Sequence, residues 1–321
     1  MLKKLLIILL LTAALATLLG CSASAEQSPA ISSGQPPSPT ESSESDVAGT
    51  APSSGKKDQT DDESEEIETT SQPIPTEETR LSPDDWQQWP VIPELSPSML
   101  QVYQQGLEQG NRDNAFSKVG DCQIIPDVFL AIFEDINYTL PERLDYLQGT
   151  INHFEGSFAR EGYALKGGFV FPTVFSPLRA DSSVCEPGET PYECELRVHQ
   201  PTFVLISMEF RYDGRTVETH EMYLRKSVEY ALARGIVPIL ATKADNFEGD
   251  HSLNRMTAQI AYEYDLPLWN YWRAVQILPD HGIDWDRDSY GFHVTPDAWN
   301  MRSETFLMVL DALYQQAKNS Q

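Results

Sequence analysis

Beyond about residue 96 the chain alternates two hydrophobic rhythms: short unbroken apolar runs, and longer stretches whose apolar residues recur every three or four positions. Pro97-Ser98-Met99-Leu100 opens a helical stretch to about Gln109, with Leu100, Tyr103 and Leu107 on one face. Ala115 to Val119 predicts a short strand, ended by Gly120-Asp121-Cys122. Leu144, Leu147, Ile151 and Phe154 form a second helical stripe, and a passage containing Gly156, Gly162, Gly167 and Gly168 follows it. Thr202 to Met208 is a continuous apolar run of the length of a buried parallel strand. A helix is predicted from about Val217 to Arg234, where Gly235 stops it. Ile236 to Leu240 is a third strand, and Ala241 to Asn246 a polar loop. Leu253 to Tyr264 reads as helix, Leu266 to Asn270 as a short strand, and Pro296 to about Ala317 as the last helix. Such alternation predicts an α/β fold with a mainly parallel sheet covered on both faces. In these sheets function gathers at the carboxyl ends of strands, which directs attention to Cys122, the residues after Met208, Asp245 and the loop before the last helix.

The first ninety residues follow neither rhythm. Lys3-Lys4, an apolar run from Leu5 to Leu19 and then Gly20-Cys21 have the order of a secretory signal. Leu18-Leu19-Gly20-Cys21 resembles the lipobox of bacterial lipoprotein signal peptides. That resemblance implies cleavage before Cys21, lipidation of its thiol, and an extracytoplasmic protein held at the cell membrane. The apolar run is shorter than the roughly twenty residues of a comfortable membrane span. Residues 21–95 turn to Ser, Thr, Pro, Gln and acid, with Asp61-Asp62-Glu63-Ser64-Glu65-Glu66 at their centre. They offer too little apolar surface to offset the entropy of ordering and read as a disordered, self-repelling tether. The expected organisation is therefore a signal peptide at 1–20, a tether at 21–95 and one folded domain at 96–321.

Charge narrows the choice of partner. The formal net charge is −25, about half of it in the tether. Without a basic patch interleaved with aromatics, nucleic acid is not an expected partner. In an oxidising compartment Cys185 and Cys194, flanking a turn-rich segment, are candidates for a disulfide. With Cys21 lipidated, Cys122 is then the one thiol unaccounted for. No Cys-x-x-Cys pair or close His partner suggests a metal, and no cofactor is expected. His199, His220, His251 and His281 are scattered and read as surface residues, and Asp245 and Asn246 as loop caps.

Phe116-Ser117-Lys118-Val119-Gly120-Asp121-Cys122 ends the first strand, and Tyr290-Gly291-Phe292-His293 precedes the last helix. In these passages, and in Phe154 to Arg160, Gly235 to Asn246 and Pro267 to Asn270, the chain resembles the SGNH, or GDSL-type, hydrolases over nearly all of residues 98–318. The resemblance implies a three-layer α/β/α sandwich with a flavodoxin-like sheet. It also implies acyl transfer, with a nucleophile after strand one, a histidine base near the chain end, a carboxylate orienting it, and an oxyanion hole of backbone amides and an Asn side chain.

The family's roles fall on this chain with departures. Cys122 stands at the serine position, and a thiolate beside imidazole is a competent acyl nucleophile. Arg211 stands where the oxyanion-hole Asn belongs, and pairing with Glu209 or Asp213 is its competing role. Tyr290 replaces the aspartate of Asp-x-x-His, so Asp288 is the candidate orienting acid for His293. The second-block glycine lies among Gly156, Gly162 and Gly167, with Gly162 carried as the candidate. Three readings stay open: an acyl-ester hydrolase or acyltransferase acting on cell-envelope glycan or small acyl esters, an inactive descendant that binds a ligand such as a glycan, and a structural envelope protein. Oligomeric state is not legible.

Overall fold

Four apolar runs pair in sequence order to form the sheet: β1 (Arg112–Gly120), β2 (Pro201–Ser207), β3 (Val237–Ala241) and β4 (Leu268–Trp269), every neighbour parallel. The computed structural model describes residues 80–208 and 216–320. The expected signal peptide, Cys21, the tether up to residue 79, and Arg211 lie outside the described residues. β2 is buried throughout, as its unbroken run demands, while β1 is buried from Ala115 onward. A further parallel bridge joins Gly120 to Leu165 on the other side of β1, supported by Gly120 N–H to the Ala164 carbonyl at 3.2 Å. Counted along the chain, the order becomes second, first, third, fourth, fifth, the flavodoxin-like arrangement.

Helices cover both faces of the sheet. They are α1 (Pro97–Glu108), α2 (Gln148–His153), α3 (Phe171–Val174), α4 (Pro191–His199), α5 (Val217–Leu232), α6 (Ser252–Glu263), α7 (Tyr271–Val275) and α8 (Pro296–Asn319). Because side chains alternate along a strand, Phe116 and its register partner Phe203 face one layer, where they meet Tyr103 of α1, Phe154 after α2 and Phe306 of α8. Ser117 faces the other layer, toward Glu195 of α4, and Tyr192 of α4 donates to the Ser227 carbonyl of α5 at 2.7 Å. The fold is thus a three-layer α/β/α sandwich.

Local chemistry explains the element ends. Ser96, Thr216 and Thr295 each accept a backbone N–H from the first turn of α1, α5 and α8. Thr190 and Glu193 form a reciprocal capping box on α4, with Pro191 in its first turn. Sequence periodicity missed α4, which therefore places Cys194 on a helix rather than in a turn-rich loop. A Cβ on Gly106 would lie 2.0 Å from the Gly235 carbonyl oxygen, and Gly235 itself has φ +65°, so the two glycines let α1 close on the turn into β3.

Two further expectations change. The folded unit begins at Arg80, not at residue 96. Residues 80–95 form a strap whose Trp86 and Trp89 are each 4% exposed. Asn270, after β4, donates its amide to the carbonyls of Trp86 (2.7 Å) and Trp89 (3.1 Å). Arg80 donates to the Ala261 carbonyl, pairs with Asp265 and stacks over Trp89. Two tryptophans in a run of acid and glutamine carry no periodicity, yet they bury enough area to dock the segment. Likewise His199 and His220 are buried, not surface residues. Burial, then the nearby Arg160, holds His199 down at about 4, and burial, then Lys243, holds His220 down at about 3.

Lys118 is a buried cation within β1, its ammonium donating to the Phe158 carbonyl. Burial pulls it down to about 7 against the opposing influence of Glu134 and Glu195. The folded state therefore binds fewer protons there than the unfolded chain between about pH 7 and the ordinary 10.5. The penalty is full below that window and fades as pH rises through it. Lys118→Met should accordingly raise the melting temperature at about pH 6, with a smaller gain at about pH 9.5; an equal gain at both would refute the assignment. Asn270→Ala should cost roughly 1–3 kcal/mol in urea unfolding, because it removes both amide bonds to the strap and takes the acceptor from the buried Thr242 hydroxyl.

Candidate active site

The parallel sheet has its switch point beside β1, where the chain turns outward to the Leu165 segment on one side and to β2 on the other. In such sheets ligands bind in the crevice outside the strand ends at that point. The residues found there are Gly120, Asp121 and Cys122. A Cβ on Gly120 would lie 2.3 Å from the Ser207 carbonyl oxygen and 2.4 Å from Ile124, so only glycine lets β1 close against β2 and then turn. Asp121 is buried and accepts the Gln123 N–H at 3.0 Å, tightening a turn that holds Cys122, half-buried, at the end of the strand.

His293 and Asp288 come together in the loop before α8. The carboxylate of Asp288 accepts the backbone N–H of Tyr290 (3.0 Å), Phe292 (3.1 Å) and His293 (3.1 Å), and it pairs with His293 Nδ1. Burial pushes this carboxyl up, but the His293 bond and the three amides outweigh it and hold it at about 2. With Nδ1 committed to the acid, Nε2 is the nitrogen that can exchange a proton with a reacting group. Gly291, at φ +69°, makes the turn that lets an acid five residues upstream reach the ring. Tyr290 is exposed and meets Phe247 with 6.0 Å between ring centroids.

Gln123 joins the two loops, and sequence reasoning missed it. Fully buried, it donates to the Phe292 carbonyl at 2.8 Å and accepts from Trp299 Nε1 at 3.1 Å. The residue after Cys122 is therefore bonded to the residue before His293. The signal in the sequence was a lone amide ahead of Ile124-Ile125, a polar group that needs partners once buried.

The glycine beside the thiol is Gly167, not Gly162. A Cβ built on Gly167 would lie 3.8 Å from Cys122 Cβ, whereas one on Gly162 would meet the Glu195 carboxylate at 3.0–3.3 Å. Glu195 is buried and takes Arg160, Ser117 and the Tyr163 N–H as partners, so that glycine serves a charge cluster on α4. Cys185 and Cys194 form a disulfide. Among the described residues, the one His, Cys and acid cluster close enough to share an ion is Cys185, Glu189 and Cys194, whose two sulfurs are bonded to each other. After β3, Lys243 is buried between Asp245 (2.6 Å) and Glu248. Asp245 caps Phe247 N–H and Asn246 caps His251 N–H, which fixes that loop at the edge of the site.

No family model matches the chain, and no curated protein matches it. Among solved structures, the chain is similar to a protein described as lipolytic and of the G-D-S-L family from Desulfitobacterium hafniense, at 12% identity and a TM-score of 0.43 over 61% of this chain and 99% of that one. It is also similar to a GDSL-like lipase from Bacteroides thetaiotaomicron, at 13% identity and a TM-score of 0.42 over 66% of this chain and 98% of that one.

The Asp288 assignment has a pH signature. A carboxyl held at about 2 in the folded state, below the ordinary 3.8, stabilises the fold fully above the ordinary value and loses that contribution as pH falls toward 2. Asp288→Ala should cost roughly 1–3 kcal/mol near neutrality, since its amides lose their acceptor. The gap to wild type in denaturant unfolding should hold down to about pH 4 and then narrow. A gap independent of pH would show that the carboxylate does not cap the loop.

Proposed function

We propose that this chain is an SGNH-like acyl-ester hydrolase or acyltransferase, carried outside the cytoplasm on a lipidated Cys21, with Cys122 as nucleophile, His293 as base and Asp288 as the orienting acid. The observation that carries the reading is the Asp288–His293 pair, locked by three backbone amides on a loop that Gln123 bonds to the turn bearing Cys122. Independent of any family likeness, the thiol stands at the sheet's switch point.

The reaction follows from those groups. His293 Nε2 takes the thiol proton as Cys122 Sγ adds to the ester carbonyl carbon, giving a tetrahedral oxyanion. Collapse breaks the bond to the alkoxy oxygen, which leaves as an alcohol with the proton from the imidazolium, and a thioester remains on Cys122. Water, deprotonated by the same imidazole, then adds to the thioester carbonyl, and collapse breaks the C–S bond, so that the carboxylic acid leaves and the Cys122 thiolate regains its proton from the imidazolium; a second hydroxyl in place of water makes the step a transfer. Gly167 lies beside Cys122 and is the candidate to lend a backbone amide, and Arg211 is the candidate to add charge to the oxyanion hole. Asp288 stabilises the imidazolium and fixes its tautomer without itself taking the proton.

Hydrolysis of p-nitrophenyl acetate by the chain lacking its first twenty residues tests the reading. Cys122→Ala should fall to the background rate, and His293→Ala should lose about a hundredfold to ten-thousandfold in kcat/KM. Equal rates in wild type and Cys122→Ala would sink the enzyme and leave a ligand-binding domain.

A further inference from the structure

Five of the six tryptophans are buried or half-buried, and Trp285 alone is exposed, at 55%. Its position in the fold makes that exposure informative. Its six-membered ring lies over Gly291, where a Cβ would come within 2.6 Å of Cη2 and 2.7 Å of Cζ3. The indole is thus seated on the backbone of the loop that carries His293, two residues from the base. Tyr290, 57% exposed, stands next to Gly291 and meets Phe247 edge-on. Phe247 is fixed in turn by Asp245, which accepts its N–H at 3.1 Å and is itself pinned by buried Lys243. These rings come from two loops at the carboxyl end of the sheet; Trp285 is seated on backbone and Tyr290 against a ring whose own backbone is capped, so less side-chain entropy is lost when they bind.

Their surroundings select the partner. Asp284 and Asp286 share the Trp285 loop with Arg287, and Asp250 lies on the Phe247 loop, while Asp288 and Glu248 are taken up by His293 and Lys243, so the local balance stays acidic. That field repels anionic lipid and acidic polymers. A neutral pyranose ring fits both features. Its axial C–H face carries partial positive charge and meets the negative face of an aromatic ring, and its equatorial hydroxyls donate to exposed carboxylates such as Asp286. We propose that Trp285 and Tyr290, backed by Phe247, form a stacking ledge for a neutral oligosaccharide, so that the ester presented to Cys122 is an O-acyl group on a sugar. This rests on the acyl-ester reading above and assigns the alcohol side of its substrate.

The test separates the two. The full chain carrying Cys122→Ala, which cannot turn over, is titrated with neutral cello-, xylo- and N-acetylchito-oligosaccharides, following tryptophan fluorescence and heat. Saturable binding of at least one series is expected, weakened tenfold or more by Trp285→Ala and largely restored by Trp285→Phe, which keeps a ring on the seat. In the parent chain, Trp285→Ala should lower kcat/KM for the acetylated oligosaccharide at least tenfold more than for p-nitrophenyl acetate. Absence of binding to every series, or binding indifferent to Trp285→Ala in a variant with wild-type near-ultraviolet dichroism, overturns the ledge even if the small ester is cleaved. Binding without any esterase activity keeps the ledge and removes the acyl-transfer reading. Trp285-dependent binding to phosphatidylcholine vesicles, with none to sugars, overturns the ledge in favour of a lipid surface.

Discussion

A buried amide joins the two halves of the candidate site. Gln123 spends its donor on the Phe292 carbonyl and its acceptor on the Trp299 indole, and through it the end of β1 and the loop before α8 become one body. Each half has its own cap: Asp121 holds the Cys122 turn, and Asp288 holds the His293 loop. What neither can supply is the distance between thiol and imidazole. An unmet buried amide is expensive, so the loops stay joined because separating them would expose or orphan both ends of that side chain.

Around this joint the sheet does the remaining positioning. The outer bridge at Leu165 makes β1 an interior strand and puts the switch point directly above Cys122. Gly120, closed against the Ser207 carbonyl, keeps the strand end tight enough for the turn to emerge there. Gly167 arrives on the same outer segment, so the bridge that completes the flavodoxin-like order also delivers the residue beside Cys122.

Most of the architecture is written in the sequence, because buried parallel strands are unbroken apolar runs and the helices between them carry a clear stripe. Thr202 to Met208 and Ile236 to Leu240 are read within a residue or so of their structural bounds. Where reading fails, the reason is local. The strap at 80–95 docks through two tryptophans and the Asn270 amide, interactions with no period. α4 announces itself by a capping box, not by a stripe. His199 and His220 look like surface residues because a buried neutral imidazole leaves no trace in composition. In the site, Asp288 could be nominated from chemistry alone, but its reach depends on Gly291 adopting a left-handed turn. The choice between Gly162 and Gly167 depended on what faces each Cα, which spacing does not encode.

Gly291 ties two properties of the loop that could otherwise vary apart. Its left-handed backbone brings the Asp288 carboxylate to the imidazole, and its missing side chain is the seat on which the Trp285 indole lies. Any other residue would disturb both at once, since it would strain the turn and lift the ring. The Asp288–His293 pair and the seat of the exposed Trp285 ring are therefore coupled, so that a substitution filling that seat would also displace the acid from His293.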